Sequence, residues 1–168
     1  MKKWISYILC ILLLTGCTAN HPETSAPTVP EIAELESSLP ETETNRQEIP
    51  LNIFIPNENA DGFETIPTVI DTADAQTVLN MLIEHSMLNA DIALNAAERI
   101  DRQLNLDFNQ AFSNQLCSYG TAGERMMMGC VVNTFLSVYD VDCVYITVDG
   151  KILESGHVIY DFPMEYFE

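Results

Sequence analysis

Five of the eight prolines in this 168-residue chain fall between residues 18 and 50, together with seven acids, many Ser and Thr, and no Gly. The apolar residues there (Val29, Ile32, Leu35, Leu39) are scattered, so the stretch offers no continuous face to bury. Its proline and charge content favours an extended, partly polyproline form, which at about 3.1 Å per residue reaches on the order of 100 Å, against roughly 30 Å for a flexible coil. This linker leaves residues 51–168 as the part able to build a core, enough for one domain.

Charge narrows the partners. The chain carries 7 Lys plus Arg against 25 Asp plus Glu, a formal charge of −18, and Lys2 and Lys3 form its only basic cluster. Binding DNA or RNA requires a cationic surface that displaces counterions from phosphate, so nucleic acid is excluded as a partner, and anionic lipid headgroups are disfavoured for the same reason.

The first residues read as an export signal. Lys2 and Lys3 precede an apolar run from Trp4 to Leu14, broken only by Ser6 and well short of the roughly 20 residues that span a bilayer. Leu14-Thr15-Gly16-Cys17 follows and resembles the bacterial lipobox, in which a small residue before Cys lets a peptidase cut and leaves Cys17 as an acylated N-terminus. The resemblance implies residues 1–16 as signal, residues 17–50 as lipidated Cys and linker, and an extracytoplasmic protein held to the cell membrane through Cys17. Two or three acyl chains anchor stably where one is marginal. Cys117, Cys130 and Cys143 remain as three thiols, an odd number, with no CxxC or Cys/His cluster. They read as buried small hydrophobes, with Cys117 the most reactive, and the spacing leaves open whether two of them pair.

Within the domain, Leu51, Ile53 and Ile55 alternate as in a half-buried strand, and Asn57–Gly62 is turn material. Ile66–Ile70 is a second short β-like run. Asp71 or Thr72 is placed to cap a helix carrying Ala75, Val78, Leu79, Leu82 and Ile83 as far as about Met87. Residues 90–104 fit either a helix stripe or a strand. Leu104, Leu106 and Phe108 alternate strictly, after a turn at Asp101-Arg102. Thr121-Ala122-Gly123-Glu124 reads as a capping box opening a helix near Ala122, with Met128, Val131, Val132, Phe135, Val138 and Tyr139 on one stripe and Met126–Met128 only partly inward. Val141–Val148 is the strongest strand, coverable on both faces, and Asp149-Gly150 is a favoured type I′ hairpin pair. Tyr160, Phe162, Tyr166 and Phe167 make the tail a last strand or lid.

These elements carry a family resemblance. Ile53-Phe54-Ile55-Pro56, Leu104-Asn105-Leu106-Asp107, Val132-Asn133-Thr134-Phe135-Leu136, and Val141-Asp142-Cys143-Val144 with Val148-Asp149-Gly150-Lys151 together resemble the GerMN domain, covering residues 51 to about 165. The chain departs from the family pattern at Leu82-Ile83-Glu84-His85, where Gly-Pro is usual, and at Asn109, where Ser is usual. The resemblance implies an α/β (α+β) fold, a single compact domain with two helices packed on a mixed sheet. It further implies an interaction or assembly module in sporulation, germination or the cell envelope, with no catalytic residues.

Chemistry elsewhere is incomplete. Asn57-Glu58-Asn59-Ala60-Asp61-Gly62 echoes the first half of a calcium loop, but Thr68 stands where the bidentate Glu belongs. Asp140 and Asp142 read as solvated acids. His85 and His157 are the domain's only histidines, and their spacing from Cys117 shows no nucleophile–base design. The expectation is a non-enzyme without cofactor or metal that binds a basic envelope protein. The competing reading is a small solute- or metal-binding envelope lipoprotein.

Overall fold

The computed structural model describes residues 48–168, so Cys17, the signal and nearly all of the linker lie outside the described residues. The order is β1 (Ile49–Pro56), β2 (Phe63–Ile70), α1 (Ala75–Glu84), β3 (Leu94–Ile100), β4 (Gln103–Phe108), α2 (Gln110–Cys117), α3 (Thr121–Leu136), β5 (Cys143–Val148), β6 (Lys151–Glu154) and β7 (Ile159–Tyr160). The class is α+β, as expected. Three helices stand where two were read, and the strands divide into a β1–β2 hairpin and a five-stranded sheet ordered β3-β4-β5-β6-β7.

The sheet is mixed because β4 and β5 run parallel while their other neighbours run antiparallel. A parallel pair needs a long crossover, and α2 with α3 provides it. Strict alternation sends Leu104, Leu106, Phe108, Val144, Ile146 and Val148 to one face, where all are buried. The opposite face of β5 is half-exposed, not covered, since Cys143, Tyr145 and Thr147 are all intermediate in burial. β3 resolves the ambiguity of residues 90–104: it is an edge strand with a register shift between Leu94 and Ala96, and every residue after Leu94 is exposed. With neither face covered, no burial period was imprinted on it.

Helix α3 is buried without a break from Met126 to Phe135, so all three Met residues are inward instead of only part of them. It lies beneath the sheet and against β1, and the approach to the hairpin is close. A Cβ at Gly129 would lie 2.1 Å from Phe63 Cζ. Its N-cap is Gly120 with no side-chain cap, so the Thr121/Glu124 capping box does not form.

The free edge of β1 is closed by this helix in place of another strand. Phe54 N–H donates to Thr134 Oγ1 at 3.0 Å, and Asn52 N–H to Ser137 Oγ at 3.2 Å. Thr134→Val keeps the side-chain shape but leaves the Phe54 N–H buried without an acceptor. It should cost about 1–3 kcal/mol, while Thr134→Ser should retain most of the stability. Urea midpoints of the two variants check this, and equal midpoints would refute it.

The remaining elements differ in detail. The N-cap of α1 is Asp74, which accepts from Thr77 N at 2.9 Å and from both Thr72 and Thr77 hydroxyls. The Thr72 hydroxyl, then the Thr77 N–H, hold its carboxyl down at about 2. The helix stops at Glu84 because Ser86 turns to φ 60°, with the Met87 and Leu88 N–H groups both reaching back to the Leu82 carbonyl. α2 carries too short a pattern to stand out in the sequence: it has only eight residues, and its buried apolar anchors are Phe112 and Leu116. The C-terminal strap bridges Met164 to Val144. Its Phe167 exchanges two 2.8 Å hydrogen bonds with fully buried Asn133.

Candidate functional site

The register places the side chains of the open sheet face. Gln103, Asn105 and Asp107 of β4 lie beside Cys143, Tyr145 and Thr147 of β5, and pairing extends the face to Glu98 and Ile100 of β3, Ile152 and Glu154 of β6, and Ile159 of β7. None of these residues is buried. Ile100, Ile152 and Ile159 are 51%, 49% and 56% exposed, three large apolar side chains on one uncovered face. Glu98, Asp107 and Glu154 share it, and no Lys or Arg does.

Polar contacts hold this face in shape. Asp107 Oδ1 accepts the Thr147 hydroxyl at 2.6 Å and the Gly150 N–H at 2.8 Å. Asn95, at the bulge of β3, donates to Asp107 Oδ2 at 3.0 Å and Asp149 Oδ1 at 3.1 Å, so one cluster joins β3, β4 and the β5–β6 turn. That turn is as read, with positive φ at both Asp149 (48°) and Gly150 (70°). Desolvation pushes the Asp107 carboxyl up, but the Thr147 hydroxyl, the Gly150 N–H and the Asn95 amide outweigh it and hold it below the usual carboxylate range. A folded-state value below the unfolded one contributes stability above about pH 4, lost as pH falls through the depressed value. Asp107→Asn should therefore flatten the acid limb of a urea-midpoint profile between pH 5 and 2, leaving the shares due to Asp74 and to Asp142, which Arg102 also holds down. An unchanged acid limb would refute the assignment.

At the other end, Arg102 in the β3–β4 turn binds Asp142 at 2.6 Å and Asp140 at 3.3 Å, so the two acids read as solvated are ion-paired, although exposed. Asn57 and Asp61 satisfy each other across the β1–β2 loop, Nδ2 to Oδ1 at 2.8 Å and N–H to Oδ1 at 3.1 Å. Thr68 lies away from that loop, paired with Leu51. No group of three or more metal-ligating His, Cys, Asp or Glu side chains occurs among the described residues.

All three domain cysteines are free: Cys117 exposed at the end of α2, Cys143 intermediate, Cys130 buried. Burial pushes the Cys130 thiol up to about 12. Desolvation, then Asp142 and Glu165, raise that of Cys143. Cys117 Sγ lies 3.9 Å from Ser113 Oγ and from the Glu154 carbonyl oxygen, and no imidazole is among its partners. His85 caps α1, and the His157 N–H binds Ser155 Oγ.

One group escaped the sequence entirely. Glu124, read as half of a capping box, is 2% exposed and accepts from Ser155 Oγ at 2.5 Å and Tyr160 Oη at 2.7 Å. Burial, then the bond to Glu124, raises the Tyr160 phenol. No local signal marks this, because Ser155 and Tyr160 lie 31 and 36 residues away in the chain.

A family model, Germane, described as sporulation and spore germination, matches residues 45–154. Among solved structures, the tandem GerMN domains of the sporulation protein GerM from Bacillus subtilis align with a TM-score of 0.51 at 18% identity, covering 79% of this chain and 50% of that one. The first GerMN domain of the same protein aligns with a TM-score of 0.48 at 16% identity over 71% of this chain and 96% of that one. A Clostridium perfringens protein provisionally described as a lipoprotein aligns with a TM-score of 0.48 at 14% identity over 70% and 87%. No curated protein matches the sequence.

Proposed function

Since this chain belongs to the Germane family of sporulation and spore-germination domains, we propose that it is an extracytoplasmic lipoprotein, anchored through Cys17, whose open sheet face docks a basic segment of another envelope protein. The observation that carries this is the uncovered face itself: by strand register, exposed Ile100, Ile152 and Ile159 share it with Glu98, Asp107 and Glu154, while Arg102 and Lys151 stand only at its margins. Apolar side chains supply the area that association removes from water, while the acids select a cationic partner and steer its approach. The charge of the domain points the same way. Residues 48–168 hold 19 Asp and Glu against four Lys and Arg, and the three arginines are engaged within the chain. The linker then acts on reach, letting the docking face work at a distance from the membrane. Acting as a binding module, the domain performs no chemistry and needs no metal.

The test places a photo-crosslinking residue at position 152 of the full anchored chain in cells, and at exposed Val69 on β2 as the control. Position 152 should join a discrete basic protein that position 69 does not. Ile159→Glu should abolish the product, and in vitro association with that protein should slow as salt rises. Equal products from both positions, or none from position 152, would overturn the proposal.

A further inference from the structure

The open face of the five-stranded sheet lacks a covering layer, since all three helices lie against the other face. Strand register lays out its side chains in rows. Ile100 of β3 pairs with Gln103 of β4, which pairs with Cys143 of β5; two rows further along, Asp107 pairs with Thr147, and Thr147 with Ile152 of β6. Half-exposed Tyr145 of β5 lies in the row between. Ile100, Tyr145 and Ile152 therefore form a diagonal stripe. With strands about 4.8 Å apart and about 3.3 Å per residue along each, its ends are about 20 Å apart. Glu98 and Asp107 lie on one side of the stripe and Glu154 on the other, and Ile159, one strand beyond Ile152, widens it at that end.

The polar side chains of this face are already paired with one another. Gln103 Nε2 donates to Asn105 Oδ1 at 2.6 Å, and Asp107 accepts from Thr147, Gly150 and Asn95. They leave little for an extended backbone, whose N–H and C=O groups would lose water against the face without gaining partners. A helix satisfies those groups internally, and a stripe of about 20 Å matches about 13 residues, close to four turns, at about 1.5 Å each. Resting on the docking reading above, we infer that the segment bound is an amphipathic helix laid along the stripe. Its apolar residues meet Ile100, Tyr145 and Ile152, and Lys or Arg on its two flanks face Glu98 and Asp107 on one side and Glu154 on the other. It supplies the helical layer that this side of the sheet lacks.

The test uses residues 17–168 with Cys17→Ser, so that neither lipid nor detergent competes for an amphipathic probe. Two labelled peptides of about 14 residues contain equal Leu and Lys, one spaced at helical period and the other alternating, and binding is followed by fluorescence anisotropy. The helical peptide should bind saturably and at least about tenfold more tightly than the alternating one. Ile100→Glu should weaken it at least about tenfold although the change adds an acid, which separates docking from bulk charge attraction. Val69→Glu, at an exposed position of β2, should not weaken it. Tight, Ile100-dependent binding of the alternating peptide would overturn the helical inference while leaving the docking face standing. No saturable binding of the helical peptide, or binding that Ile100→Glu leaves unchanged, would also overturn it, and the crosslinked product from position 152 in cells reports on the docking face separately.

Discussion

Phe108→Ala should cost the domain about 3–5 kcal/mol, a large share of the roughly 5–15 kcal/mol that holds a typical domain folded. Phe108 is fully buried at the end of β4, stacked on Phe112 with ring centroids 4.3 Å apart and planes 14° from parallel. It joins the sheet to α2, and its carbonyl oxygen accepts from the Asn95 side chain and the Asp149 N–H. Truncation removes the ring from water-free contact and leaves a cavity beneath three strands and a helix, which can collapse only by moving them. Denaturant midpoints measure the loss, and Phe108→Leu, which keeps most of the volume, should lose less than half as much. A loss below about 1 kcal/mol for the alanine variant would mean that the site relaxes freely.

The other large effect is expected at Cys17. If two or three acyl chains on this residue hold the protein, Cys17→Ser should shift it from the membrane pellet to the soluble fraction or leave its signal uncut. Each buried methylene contributes about 0.8 kcal/mol, so losing the chains removes far more than any surface contact supplies. Nothing electrostatic replaces them, because an acidic domain is repelled by anionic lipid. Fractionation with mass spectrometry of the N-terminal peptide decides the matter. An unchanged pellet with unmodified Cys17 would end the idea.

The open sheet face is half legible in the sequence. The alternation of Leu104, Leu106 and Phe108 against Asn105 and Asp107 showed which side chains share a face, and Asp149-Gly150 announced the hairpin. Neither indicated that the second face stays open. Val144, Ile146 and Val148 with Cys143, Tyr145 and Thr147 between them are hydrophobic enough for cover on both sides, and only the placement of all three helices on one side leaves Tyr145 and Thr147 half-exposed. Ile152 and Ile159 joined Ile100 on that face through pairing register, which no single segment contains.

What the sequence determined by itself was whatever short-range chemistry can dictate. Strict alternation makes β4, and paired positive φ at Asp149 and Gly150 closes a hairpin. What the tertiary structure alone decided was which surfaces meet. α3 carries no solvent stripe because β1, the sheet and a strap from the far end of the chain cover it on different sides, and Glu124 is buried because Ser155 and Tyr160 arrive there from that same distance. Periodicity records cover on one side by one neighbour. Cover from several sides by segments dozens of residues apart leaves no local period, so it exists only in the folded chain.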